Sequence, residues 1–109
     1  MAKYLNRKVT EDGLTFDSRT EHKRYLDLRN LVRAGEIEAL EIHPKYRIDW
    51  PGSGWLCSYT ADFRYVDRRT GETIVEDVKS PRTQSNSTYR LKKKLLRFAF
   101  GVEITEIVG

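Results

Sequence analysis

Thr60-Ala61-Asp62-Phe63-Arg64-Tyr65-Val66, then Asp67-Arg68-Arg69-Thr70-Gly71-Glu72, then Thr73-Ile74-Val75-Glu76-Asp77-Val78-Lys79 reads as two strands joined by a tight turn. Gly71 supplies the left-handed backbone such loops need. With Asp67 facing Glu72, the register sets Arg64 opposite Val75, Asp62 opposite Asp77 and Thr60 opposite Lys79. Alternation sends Tyr59, Ala61, Phe63 and Tyr65 to one face and Thr60, Asp62, Arg64 and Val66 to the other. In the second strand Thr73, Val75, Asp77 and Lys79 share a face, and Ile74, Glu76 and Val78 take the opposite one. Like charges directly opposed across a strand pair destabilise it. Facing aspartates therefore want a cation, and Lys79 sets an ammonium beside them. This is the chemistry of a divalent-metal site with a basic assistant.

Upstream, Ser18 and Glu21 form a Ser-x-x-Glu capping box opening a helix predicted over 20–34, with Gly35 as its left-handed stop. Tyr25, Leu28 and Val32 form its apolar stripe, with Leu31 at the margin. Two strands follow, over 39–43 and 45–50, separated by Pro44. Pro51 to Gly54 is a loop, and Trp55 leads into the central hairpin. A second helix is expected over 88–100, with Leu91, Leu95 and Phe98 at core spacing and its lysines largely outside. Gly101 stops it, and a last strand covers 103–108. Residues 1–15 are polar and basic and read as a short arm or edge hairpin preceding one domain over 16–109. The expectation is an α+β fold with a mixed central sheet and two flanking helices.

The chain has 109 residues, 33% charged and 39% apolar, which suits one globular domain. No apolar run approaches the roughly 18 residues of a membrane span, and the N-terminus lacks the apolar block of a signal peptide. Cys57 is the single cysteine, which excludes a disulfide framework and a cysteine-based zinc site and suits a reducing cytoplasm. Net charge is +4. From Lys79 to Arg97 there are seven bases (Lys79, Arg82, Arg90, Lys92, Lys93, Lys94, Arg97) and no acid. That stretch is either a phosphate-facing surface or a solvated helix face.

Each candidate has a plain alternative. Glu21 can serve as the helix cap, yet it is in line with Tyr25, Leu28 and Val32 and leans toward the sheet; the two roles are compatible. Asp62 and Asp77 could be surface acids paired with Arg64 and Lys79, although such pairs contribute little. Glu76 points away from Asp77 and is read as structural or surface. His22 and His43 lack metal-ligand spacing with each other and are assigned surface or loop roles. No aromatic stacking series is evident, so shape or backbone recognition is expected rather than base readout.

Asp62 followed by Asp77-Val78-Lys79, with the helical Glu21 upstream, resembles the PD-(D/E)XK nuclease superfamily. Phe16-Asp17-Ser18-Arg19-Thr20-Glu21, Tyr59-Thr60-Ala61-Asp62-Phe63, Val75-Glu76-Asp77-Val78-Lys79 and Arg90-Leu91-Lys92-Lys93-Lys94-Leu95 resemble more closely a small phage-encoded family placed in it, similar in size and layout to phage endonuclease I and Holliday-junction resolvases. Ala61 stands where the signature has proline, which ligates nothing, and Asp is an accepted second acid. The resemblance implies a restriction-endonuclease-like core in the order α-β-β-β-α-β and hydrolysis of DNA phosphodiesters with Mg²⁺ or Mn²⁺. It implies that Asp62, Asp77 and the Val78 carbonyl hold the metal, that Glu21 holds a second ion or a water, and that Lys79 positions or activates the attacking water. Lys92, Lys93, Arg90 and Arg97, with Arg82, would grip neighbouring phosphates. Lys3, Arg7 and Lys8 of the arm would grip a further duplex or a partner subunit. A homodimer acting on branched DNA is expected, since symmetric cleavage needs two sites. The rival expectation is a non-catalytic nucleic-acid-binding module reading DNA with the basic second helix.

Overall fold

The computed structural model describes residues 8–80 and 84–108. Lys3, Arg7 and Arg82 lie outside the described residues. A short hairpin, β1 (Val9–Glu11) with β2 (Leu14–Phe16), precedes α1 (Arg19–Arg33). Then come β3 (Ile37–Ile42), β4 (Lys45–Trp50), β5 (Gly54–Thr60), β6 (Phe63–Asp67), β7 (Thr73–Lys79), α2 (Ser87–Phe100) and β8 (Ile104–Val108). The main sheet has the order β3-β6-β7-β8, antiparallel except for the parallel β7–β8 pair, which α2 connects. Strands β4 and β5 form a separate hairpin inserted between β3 and β6. Setting that hairpin and β1–β2 aside, the elements run α-β-β-β-α-β, and the fold is a mixed α+β one as expected.

Local chemistry fixes the helix ends. The Ser18 hydroxyl accepts from the Glu21 amide at 3.1 Å and opens α1. At its C-terminus the Glu36 amide donates to the Leu31 carbonyl and the Gly35 amide to Val32, with Gly35 at φ +77°. The Asn86 side chain caps α2 through the Tyr89 amide, and Gly101, at φ +68°, ends it.

The helices cover two apolar clusters. Beneath α1 lie Phe16, Tyr25, Leu28, Ile37, Phe63 and Tyr65, with Ile74 and Val78 packed against them. Beneath α2 lie Tyr59, Ala61, Val75, Tyr89 and Leu96. Strand β7 is interior, and Val75, Glu76 and Asp77 are all buried. Alternation puts Glu76 on the α1 side, where Arg24 grips it through two hydrogen bonds of 2.8 and 2.7 Å and the Tyr65 hydroxyl donates to it. Glu76 is therefore structural and buried, and its surface alternative falls away.

The hairpin register holds where expected. The Asp67 amide donates to the Glu72 carbonyl, and Arg64 pairs with Val75. The ladder ends at Phe63 opposite Glu76, however, so Asp62 lies one step beyond it. The single strand predicted over 60–66 is broken at Ala61-Asp62, and Thr60 pairs with Lys45 rather than Lys79. The bend lets β5 leave the sheet as part of its own hairpin.

Two apolar stripes also need correction. In the last turn of α1, Leu31 packs against the core and Val32 is exposed. In α2 the inward residues are Tyr89 and Leu96, whereas Leu91 and Phe98 face solvent, Phe98 at 91% exposure. Lys92 and Lys93, expected outside, flank the buried stripe and are half-buried. Their long aliphatic stems allow this, since the ammonium still reaches a polar partner. Leu96→Ala is expected to cost about 2–5 kcal/mol in urea unfolding. Phe98→Ser should fall within about 0.5 kcal/mol of wild type; the reverse ranking would restore the predicted stripe.

Candidate active site

The β4–β5 hairpin leaves the sheet through His43-Pro44 and returns through Ala61-Asp62. Its root is closed by the His43 amide donating to the Asp62 carbonyl at 2.9 Å and the Ala61 amide donating to Pro44 at 3.0 Å. His43 sits there with φ +56°, a left-handed conformation held by its surroundings. The root thus brings together two residues nineteen positions apart in sequence.

Asp62 and Asp77 are joined through the backbone of the segments that carry them. The Asp62 amide donates to Asp77 Oδ1 at 3.0 Å and to the Glu76 carbonyl at 3.1 Å. In return, Asp62 Oδ2 accepts from the Val78 amide at 2.7 Å. Asp77 is fully buried, and its Oδ2 has no hydrogen-bond partner. Burial pushes the Asp77 carboxyl up to about 6, against the opposing pull of the Lys79 ammonium. Burial likewise raises Asp62, opposed by the Val78 hydrogen bond.

Glu21 completes the acidic group. It is 4% exposed, and Oε1 lies 2.8 Å from His43 Nε2. Burial raises its pKa, and the nearby Asp62 charge adds to the effect. Its backbone amide serves the helix cap through Ser18, while its carboxylate bonds His43; the return bond of a capping box, from the Ser18 amide to the Glu21 carboxylate, is not found among the described residues. One ligand atom each of Glu21, His43 and Asp62 lie within 4.8 Å of one another. His43, assigned a surface or loop role from sequence, belongs to this cluster. Asp77 is not part of that trio and is linked to Asp62 by the amide–carboxylate bond. His22 instead bonds Glu11 at 2.7 Å and ties the β1–β2 hairpin to α1.

Lys79 Nζ lies 4.0 Å from Asp77 Oδ1 and 5.1 Å from the centre of the Tyr89 ring. Lys93 faces the same ring at 5.2 Å and pairs with Glu106 at 3.2 Å. Glu106 stands opposite Asp77 in the parallel ladder and accepts from the Tyr89 hydroxyl at 2.7 Å. Sequence reasoning missed Tyr89 and Glu106; the available signal was an acid two residues after Ile104, on the same face of the last strand. Val78 stands opposite Ile107 and contributes its amide to Asp62.

The other basic candidates are distributed. Lys92 Nζ donates to the Ser58 carbonyl at 3.4 Å. Arg90 is exposed, and Arg97 is exposed and 3.5 Å from Glu103. Lys8 is exposed just before β1.

Three carboxyls raised by burial, an unpartnered buried Oδ2 and an adjacent imidazole suit a divalent cation. Carboxylate oxygens suit Mg²⁺ and Mn²⁺, whereas a donor set that includes the His43 imidazole moves the preference away from Mg²⁺ toward transition-metal ions. Among the described residues, no helix is long and apolar enough to cross a membrane.

Fold and site together describe a mixed α+β domain with a buried acidic cluster at the root of an inserted hairpin. Residues 1–107 match the model of a family described as "Protein of unknown function (DUF1064)", and the chain belongs to that family. No curated protein and no solved structure matches it.

The raised Asp77 carboxyl fixes a sign. Its folded pKa of about 6 exceeds the unfolded value of 3.8, so the folded state holds the proton more tightly between them. Stability from this group is therefore lost as pH rises from about 4 through 6 without a cation, on the order of 3 kcal/mol. In EDTA, Asp77→Asn should gain on wild type across that window. Added Mn²⁺ should raise the wild-type melting temperature more at pH 7.5 than at pH 5.5 and leave Asp77→Asn nearly unmoved. An equal metal response in both proteins would contradict the site.

Proposed function

We propose that this protein is a metal-dependent endonuclease hydrolysing DNA phosphodiester bonds. The observation that carries the reading is the mutually braced pair of half-buried Asp62 and buried Asp77, with Lys79 beside Asp77 and Glu21 and His43 beside Asp62. The α-β-β-β-α-β order around this pair supports it, as does the resemblance to the PD-(D/E)XK superfamily. A small acidic cluster with one close ammonium and basic residues nearby suits a polyanionic substrate.

Asp62 and Asp77 would hold Mg²⁺ or Mn²⁺, with the Val78 carbonyl as a further oxygen and Glu21 and His43 on the Asp62 side. The ion, when bound, supplies Lewis-acid stabilisation of the phosphoryl oxygens. Lys79 positions the attacking water and offsets negative charge developing on the phosphate. Tyr89 orients Lys79 through its ring face, and Glu106 holds the Tyr89 hydroxyl. Lys92, Arg90 and Arg97 bind flanking phosphates. Lys93 belongs less to that set, because its ammonium is engaged by Glu106. A homodimer acting on branched DNA forms part of the proposal. The exposed Leu91 and Phe98 on α2 offer apolar surface for the contact. A cytoplasmic location, that of the host if the chain is phage-encoded, accompanies this reading.

The test is cleavage of supercoiled plasmid, linear duplex and a four-way junction with Mg²⁺, Mn²⁺ or EDTA. Wild type should cut only with a divalent ion, and Asp62→Asn and Asp77→Asn should abolish cutting. Lys79→Ala should lower kcat by about 10²–10³. Equal product from wild type and the aspartate variants would overturn the assignment. DNA binding with no metal-dependent cleavage would favour the non-catalytic module.

A further inference from the structure

The chain has two tryptophans, and both lie at the tip of the β4–β5 hairpin. Trp50 is 58% exposed and Trp55 61% exposed, although tryptophan is ordinarily well covered. Trp55 pairs with Asp49 and Trp50 with Gly54, so alternation sends the two indoles to opposite faces of the ribbon. The Trp55 ring is held, because its Nε1 donates to Ser58 Oγ at 2.9 Å. Neither indole serves the apolar clusters under the helices.

Three features indicate what these rings meet. First, the hairpin is rooted at His43 and Asp62, so anything lying along it is led to the acidic cluster. Trp50 is five residue steps from Lys45; at about 3.4 Å each this sets the indoles at most roughly 17 Å from the root. That span is about five base steps at the 3.4 Å repeat of a nucleic-acid strand. Second, a cleft of about 270 Å³ opens between β5 and the start of α2, lined by Ser58, Tyr59, Thr60, Asn86, Thr88 and Lys92. Lys92 is its cation, and the Tyr59 hydroxyl is buried there with no hydrogen-bond partner. Third, Ser58 links the parts: its hydroxyl holds Trp55 and its carbonyl accepts from Lys92. Stackable rings beyond a basic, hydroxyl-lined cleft are the combination that binds a single strand, bases on the aromatic faces and phosphates beside the cations.

We propose that the β4–β5 hairpin is a base-stacking element, and that the substrate class is nucleic acid with unpaired bases beside duplex. Trp50 and Trp55 stack on the unpaired bases, the cleft at Lys92 takes a phosphate of the same strand, and the strand is led toward Asp62. The use of this binding for cleavage rests on the nuclease reading; the binding itself does not. Stacking of this kind departs from the shape or backbone recognition expected from sequence.

Because both tryptophans are at the tip, emission excited selectively in the indoles, at wavelengths the six tyrosines do not absorb, reports on the tip alone. In EDTA, the full chain is titrated with oligothymidylate, a forked duplex and a blunt duplex. Single-stranded and forked DNA should quench the indoles, and the blunt duplex should do so less. Trp55→Ala should weaken forked-DNA binding about tenfold, with Trp55→Phe retaining much of it. Asp77→Asn should quench like wild type. On a cleavable fork, both Trp→Ala variants should raise KM with kcat little changed. Silent indoles on bound DNA, or unchanged affinity in both alanine variants, would overturn the proposal. So would emission that changes with protein concentration alone, which would assign the tip to a second copy of the chain. Quenching without cleavage would sink the nuclease reading and sustain this one; cleavage with silent indoles would do the reverse.

Discussion

The carboxylates of Asp62 and Asp77 each accept a hydrogen bond from the backbone of the segment that carries the other. These two bonds continue the β6–β7 pairing one step past the end of its ladder. They are made by side chains because the chain bends at Ala61-Asp62, and the bend releases β5 into its own hairpin. One feature of local architecture thus fixes both the acid pair and the origin of the inserted ribbon. Separating either carboxylate from its amide would loosen the pair and the hairpin root together.

Neighbouring acids on β7 show how charge accounting divides structure from function. Glu76 and Asp77 are equally buried and adjacent, yet they face opposite layers. Glu76 is matched by a guanidinium and a phenol, so it is satisfied within the fold. Asp77 keeps one oxygen without a partner, and its nearest cation, Lys79, is at 4.0 Å. A buried carboxylate left so incompletely matched is costly in isolation. A bound cation would remove that cost, and the same holds for Glu21 and Asp62. The site is thereby a place where local stability is traded for binding capacity.

Much of this was legible from local signals. The turn around Gly71 set the register that brings Arg64 opposite Val75, and Ser18 marked the start of α1. Lys79 was placed beside Asp77 by simple alternation. The rest was not written locally. No glycine or proline marks the bend at Ala61-Asp62, so β5 and β6 read as one continuous alternating run. Two stripes of α2 have similar spacing, and the choice of Tyr89 and Leu96 over Leu91 and Phe98 is made by what the helix packs against. His43 and Glu106 joined the site through long-range contacts that residue spacing does not encode. The tryptophans were visible as residues, but their shared exposure at one tip needed the hairpin to be built.

The central claim is that Asp62 and Asp77 share one divalent ion. Anomalous diffraction from crystals soaked in Mn²⁺ tests it directly. The account predicts one manganese peak within coordination distance of a carboxylate oxygen from each aspartate. A peak held by Glu21, His43 and Asp62 with Asp77 uninvolved, or no peak at the hairpin root, would contradict it.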